Sequence, residues 1–308
     1  MRQYYRQYYQ LLWLIVFLVS CSVNSQSGVA TSSWRPVGSG ITFGISGMAL
    51  VNQANNQSNF LIVHDNKKPG ENRLAIVGLA AANQTNQNVE YLPLVWPNNF
   101  DLPIDLEAIT RVPGLGNVSF MAASSQGKLY HFTVDNNQTI SVLKILDLPA
   151  IPQGSNFEGF AIQEIDGQLV IVWGHRGQES DPGVIYWGNL DLNSYQISPQ
   201  GSAKFTVPWP REKVRHISDL KIDSAGTLYV TAATDNGDDG PFSSAVYVAG
   251  VFTVNQSKVQ FRVNTELAAL YRFDGYKIEA LELIPGENGG VIFGTDDENM
   301  GSSIYTSF

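Results

Sequence analysis

The sequence predicts an all-β chain folded as a propeller of five blades behind an N-terminal export segment. Three observations carry this reading. A four-residue pattern recurs five times: an apolar residue, Ser or Glu, a small or acidic residue, and a second apolar residue. Short β-branched and aromatic runs, separated by Gly, Asn and Asp, follow each recurrence. No amphipathic helical periodicity of useful length interrupts them.

The recurrences are Ile45-Ser46-Gly47-Met48, Leu106-Glu107-Ala108-Ile109, Phe157-Glu158-Gly159-Phe160, Ile217-Ser218-Asp219-Leu220 and Ile278-Glu279-Ala280-Leu281, at steps of 61, 51, 60 and 61 residues. After each comes a second strand, centred on Leu61, Met121, Ile171, Tyr229 and Ile292 in turn, and a third containing Ile76, Tyr130, Tyr186, Tyr247 and Tyr305. A four-stranded antiparallel unit of this length, repeated radially, is a propeller blade. The last unit ends after three strands, and residues 34–43 precede the first as a spare strand. Pairing that strand with residues 304–308 closes the ring and removes two open sheet edges. A β-sandwich with fortuitous spacing is the competing architecture. A sixth blade hidden in residues 83–103 and 195–213 is another.

Composition agrees with a folded, turn-rich chain. Of 308 residues, 44% are hydrophobic and 15% charged, with 28 Gly and 14 Pro, which excludes a disordered composition. The net charge of −9 leaves no unaided electrostatic grip on nucleic acid, and a monomer is expected. One Cys excludes an internal disulfide and thiolate zinc sites.

That Cys sits where an export signal ends. Arg2 and Arg6 precede an unbroken apolar run over residues 11–19, too short to cross a bilayer of ~30 Å and of signal-peptide length. Leu18-Val19-Ser20-Cys21 then resembles the lipobox of bacterial lipoproteins. The resemblance implies a signal peptide over residues 1–20, lipidation of Cys21, an uncharged tether to residue 33 and a propeller domain over 34–308. The protein is accordingly expected outside the cytoplasm, anchored to a membrane of a bacterial cell envelope by lipid on Cys21. An uncleaved anchor or an ordinary signal peptide is the alternative.

Within the body, Ser46-Gly47-Met48-Ala49 with Val63-His64-Asp65-Asn66, Asp105-Leu106-Glu107-Ala108, Asn156-Phe157-Glu158-Gly159-Phe160-Ala161 and Lys277-Ile278-Glu279-Ala280 together resemble the esterase-like-activity-of-phytase family. They are also similar to bacterial propellers with Glu-Gly-Leu-Ala repeats. The likeness spans about residues 40–300 and departs from the Glu-Gly pattern at Ser46 and Ser218. It implies an exported propeller acting on phosphoesters with calcium, and no established catalytic set.

The first strand of a propeller blade lines the central channel, so residues recurring there face one another. Ser46, Glu107, Glu158, Ser218 or Asp219, and Glu279 are therefore expected to converge. Carboxylates so placed cannot all stay ionised without a cation or basic partners. Glu107, Glu158, Asp219 and Glu279 become candidate ligands for an oxygen-preferring ion such as Ca²⁺; alternatively each acid merely caps backbone amides of the next blade. The loops after the second strands, which include His64 to Lys68, His175 to Glu179, Asp235 to Asp239 and Asp296 to Asn299, should share one end of the ring. His175 and Arg176 make the most suggestive pair there, as an acid/base beside a phosphate or carboxylate clamp, with Arg215, His216 and Lys277 able to join them. His175, Arg176 and His216 are the candidate catalytic residues. No serine-hydrolase elbow, zinc-protease helix motif or phosphate-binding glycine loop is present. Two functions remain: a metal-assisted hydrolase of phosphoesters or other anionic small molecules, and a non-catalytic propeller that binds a ligand or an envelope protein.

Overall fold

The computed structural model describes residues 33–306 apart from 55–56, 81–88, 115, 150 and 287–288, so the expected export segment, Cys21 and the expected tether before residue 33 lie outside the described residues. The chain enters through β1 (Ser33–Gly38) and a 3-10 turn (Ile41–Phe43). The first blade follows: β2 (Gly47–Ala54), β3 (Gln57–Val63), β4 (Leu74–Ala80) and β5 (Val89–Leu94). The second is β6 (Leu106–Arg111), β7 (Phe120–Ser124), β8 (Lys128–Val134) and β9 (Ile140–Asp147). The third is β10 (Phe157–Ile165), β11 (Gln168–His175), β12 (Gly183–Asp191) and β13 (Gln196–Phe205). The fourth has five strands: β14 (Val214–Ile222), β15 (Thr227–Thr234), β16 (Ser243–Asn255), β17 (Lys258–Val263) and β18 (Ala269–Asp274). The last begins with β19 (Ile278–Ile284), β20 (Gly290–Thr295) and β21 (Ser302–Thr306).

Every sheet is an antiparallel meander, and β1 completes the last one in the order β19, β20, β21, β1. Trp34 pairs Tyr305 and Arg35 pairs Ile304, the predicted closure. The closing strand is shorter than residues 34–43, because Gly40 at φ 87 turns the chain into the 3-10 turn that leads inward to β2. Inner strands β2, β6, β10, β14 and β19 contact one another in sequence, and β19 contacts β2 again. That cyclic contact excludes a sandwich. The sixth-blade alternative also fails: among the described residues, 83–103 and 195–213 each supply one outer strand, β5 and β13.

The core is divided into wedges between neighbouring blades. One joins blades 1 and 2 around Leu61, Ile109 and Phe120; another joins 2 and 3 around Met121, Phe160 and Ile171; another joins 3 and 4 around Val172, Leu220 and Phe252. Ile45, Ile62 and Ile292 join blades 5 and 1. Inner strands approach closely at the third motif position, where a Cβ on Gly47 would lie 2.8 Å from the Ala108 Cα. This explains the Gly or Ala found there in four of the five repeats.

The wedge between blades 4 and 5 has only Val246, Ile278, Leu281 and Phe293 fully inside it. Aromatic rings make up the deficit. The 13-residue β16 carries β17 on one half and β18 on the other. Tyr271 and Phe273 of β18 then meet Phe293 edge-on at 5.1 and 5.2 Å, and Trp34 of β1 stacks on Tyr276 at 3.8 Å. Trp34 thus both closes the ring and covers its thinnest seam. Trp34→Ala is expected to lose about 3 kcal/mol in equilibrium unfolding. Deleting residues 22–43 should cost far more than deleting 22–31, and equal stability of the two truncations would contradict closure by β1.

Candidate functional site

The acids of the motif reach the axis through a register slip. Pairing of β6 with β7 skips one residue between Leu106 and Ala108, that of β10 with β11 between Phe157 and Gly159, and that of β19 with β20 between Ile278 and Ala280. Glu107, Glu158 and Glu279 are the skipped residues, each the extra residue of a β-bulge that breaks the alternation of faces. All three are buried, and they act on one another electrostatically. Ser46 and Ser218 hold the same motif position in blades 1 and 4. Both are 1% exposed, and among the described residues neither hydroxyl has a hydrogen-bond partner.

Cations come from the residues flanking the motif. Arg215 of β14 reaches across to blade 5, donating through Nη1 to Glu279 Oε1 at 3.0 Å, and lies 3.9 Å from Glu158 Oε1. Its Nε and Nη2 donate to Asp235 Oδ2 at 3.2 and 3.1 Å. Lys277 Nζ is 3.0 Å from Glu279 Oε1 and also pairs with Glu298. Arg176 Nη1 lies 3.5 Å from Glu158 Oε1. Burial works against the charge on Arg215 and on Lys277, but the surrounding carboxylates outweigh it and raise both above their ordinary values.

Glu107 differs from the other two glutamates: among the described residues no cationic side chain lies within 4 Å of its carboxyl. Burial, and then the charges of Glu158, Asp105 and Glu279, push it well above the usual carboxylate range. Burial raises Glu158 too, but Arg215 and Arg176 oppose the rise. Around them burial and the neighbouring Glu279 bring Asp65 up to about 6, and burial brings Asp297 up to about 6. Asp296 is raised by burial and by Glu279.

The other candidates separate on inspection. Asp219 does not join the glutamates. It sits at the third motif position, facing the next blade, and its carboxylate accepts from Leu281 N at 2.8 Å and Leu220 N at 2.7 Å. It is an interblade clip, and burial raises it to about 7. His216 is also removed from the axial set: Nε2 faces Glu179 O at 2.9 Å and Nδ1 accepts from Val207 N at 3.3 Å. Both ring nitrogens serve loop backbone, and burial lowers its basicity. His175 shares its Nδ1 with Asn156 backbone, and its Nε2 faces Asp181 at 3.9 Å. Of that pair, Arg176 alone touches the axial glutamates. The set Glu107, Glu158, Asp219 and Glu279 is therefore not one constellation, and among the described residues no group of three or more His, Cys, Asp or Glu is spaced to hold a metal ion. Arg215 occupies the place between Glu158 and Glu279 that a cation would take, and Lys277 sits between Glu279 and Glu298.

No family model matches the chain, and no curated protein does. Solved structures do resemble it. The α-L-arabinofuranosidase PaAbf62A of Podospora anserina, solved with cellotriose, is 12% identical over 90% of this chain and 97% of its own, with a TM-score of 0.52. An exo-1,5-α-L-arabinanase from a bovine ruminal metagenomic library is 10% identical over 85% of this chain and 92% of its own, with a TM-score of 0.50. A GH32 β-fructofuranosidase of Bombyx mori is 11% identical over 90% of this chain, which spans 62% of that longer protein, with a TM-score of 0.48. The likenesses to the arabinofuranosidase and the arabinanase establish the propeller fold. They are glycosidases and not phytase-like proteins.

Since Glu107 titrates higher when folded than its unfolded value of about 4.3, the stability it contributes is complete below that value and is lost as pH rises through the folded value. Gln mimics the protonated form. Glu107→Gln should therefore melt near the wild-type temperature at pH 4.5 and several degrees above it at pH 8. An offset that does not change with pH would contradict the isolation of Glu107.

Proposed function

We propose that the protein is a hydrolase of the bacterial cell envelope that uses the axial glutamates as a proton donor and an ionised partner on a neutral, hydroxyl-rich substrate of the glycoside class. The observation that carries this is the asymmetry among three equivalent glutamates: cations flank Glu158 and Glu279, while Glu107 has none. Paired carboxyl groups whose surroundings push their affinities apart form an acid/base pair, and cleavage of a glycosidic bond uses two such groups. Glu107, pushed well above the usual carboxylate range by burial and by its acidic neighbours, is the donor to the leaving group. Glu279 or Glu158, each facing the Arg215 guanidinium, takes the water or the developing positive charge. The unpartnered hydroxyls of Ser46 and Ser218 offer hydrogen bonds to substrate hydroxyls in the same ring.

A second reading, calcium-assisted hydrolysis of phosphoesters, draws on the surplus of acids at this mouth, where Asp65, Asp105, Asp296 and Asp297 crowd the glutamates. An anionic substrate would be repelled there unless a divalent ion intervened. Anchoring through lipid on Cys21 belongs to the same proposal and rests on the sequence alone.

Both chemistries can be read in one assay of the purified domain, using 4-nitrophenyl glycosides, arabinofuranoside included, and 4-nitrophenyl phosphate, each with calcium or with chelator. The expected result is glycoside cleavage indifferent to chelator, reduced at least 100-fold in kcat by Glu107→Gln. Phosphate release that chelator abolishes would replace it with the second reading. No turnover of either class would leave a ligand-binding propeller. Full-length protein should fractionate with membranes and Cys21→Ala should not.

A further inference from the structure

Four residues beyond the motif glutamates, about 13 Å along an inner strand at ~3.3 Å per residue, the channel opens again. A cavity of about 490 Å³ lies at this far end, walled by all five inner strands. Its sides are largely apolar, with Leu50, Val112, Ala161, Ile162, Ile222 and Leu283 from successive blades. Two buried charges cross it. Lys221 of blade 4 spans the axis to blade 2, where its Nζ donates to Ile109 O at 2.5 Å, and it lies 3.7 Å from Glu282 Oε2 of blade 5. Glu282 accepts from the amides of Leu283 and, in blade 1, Leu50. Both residues of this crossbar line the far cavity, and none of the motif glutamates does.

We propose that the far cavity is a second, separate binding site, for a small uncharged molecule with a flat or cyclic apolar body and one hydroxyl or carbonyl group. The volume lies within the range of small-molecule sites. Its charged lining residues are Arg111, Lys221, Asp223 and Glu282, two of each sign, so the cavity offers no net attraction to an ion. The ammonium of Lys221 has three N–H bonds, of which Ile109 O and Glu282 take two. Among the described residues the third has no partner, which leaves it for a ligand oxygen, and Thr110 stands on the same lining. A carboxylate accepting that N–H would stand beside the negative charge of Glu282, whereas a hydroxyl adds to the pair without that repulsion. This site makes no use of the glutamates of the hydrolase reading and stands or falls apart from it.

Equilibrium dialysis of the purified domain against 1-naphthol, naphthalene and 1-naphthoate tests this. One saturable site for 1-naphthol is expected, with 1-naphthoate bound at least tenfold more weakly. Asn117→Trp/Val118→Trp, which places bulk at the cavity mouth, should weaken 1-naphthol at least tenfold, and Glu107→Gln should leave it unchanged. Lys221→Met should reduce 1-naphthol to the affinity of naphthalene, and where that variant does not fold the mouth variant decides alone. Absence of saturable binding would overturn the proposal, as would tighter binding of 1-naphthoate. So would loss of 1-naphthol binding in Glu107→Gln with the mouth variant unaffected.

Discussion

Arg215 is the residue on which the centre of this ring depends. A motif that repeats in five blades brings three carboxyl groups to one axis, and desolvation of each is costly without a fixed positive charge. Arg215 answers for two of them, touching Glu279 in blade 5 and facing Glu158 in blade 3 from its own strand in blade 4. Asp235 orients it from the loop after β15. Lys277 secures the other side of Glu279. Arg215, Lys277 and Arg176 all face Glu158 or Glu279, so Glu107, with no cation within 4 Å among the described residues, is raised by burial and by its acidic neighbours. The chemical inequality of three identical side chains follows from where three cations were placed.

The far half of the channel is held by the same means with different partners. Asp219 joins blade 4 to blade 5, Glu282 joins blade 5 to blade 1, and Lys221 joins blade 4 to blade 2 across the axis. Apolar wedges hold neighbouring blades, whereas Lys221 also joins two blades that are not neighbours in the ring. The axis therefore carries two polar layers, with the near one open to the loops and the far one closing a cavity. Closure by β1 supports both, since the inner strands can meet around one axis only if blade 5 is complete.

Much of this was legible in the sequence. The period of the motif fixed the number of blades, and the missing fourth strand of the last repeat pointed to β1. What strand periodicity cannot display is an extra residue. The bulge at Glu107, Glu158 and Glu279 shows only in the pairing, and in blade 4 it decides between two adjacent polar residues. Ser218 takes the axial position and Asp219 the interblade one, so treating Asp219 as a fourth axial acid failed for want of register. His216 is misleading for a similar reason: it is next to Arg215, but the following residue of a strand points to the other face, and there its nitrogens serve backbone. Lys221 and Glu282 are charged residues in otherwise apolar inner strands, a signal that was available, yet their meeting across the axis depends on ring closure. The far cavity is a space left by five blades and has no sequence signature of its own.

The central claim is that Arg215 offsets the charge of Glu158 and Glu279, and equilibrium unfolding at neutral pH tests it most directly. Arg215→Met should lose about 3–5 kcal/mol, the cost of leaving buried charge unpaired. Adding Glu158→Gln and Glu279→Gln to that variant should restore most of the loss, because uncharged amides need no counterion. Loss of less than 1 kcal/mol in the single variant, or a triple variant less stable than the single one, would contradict the account.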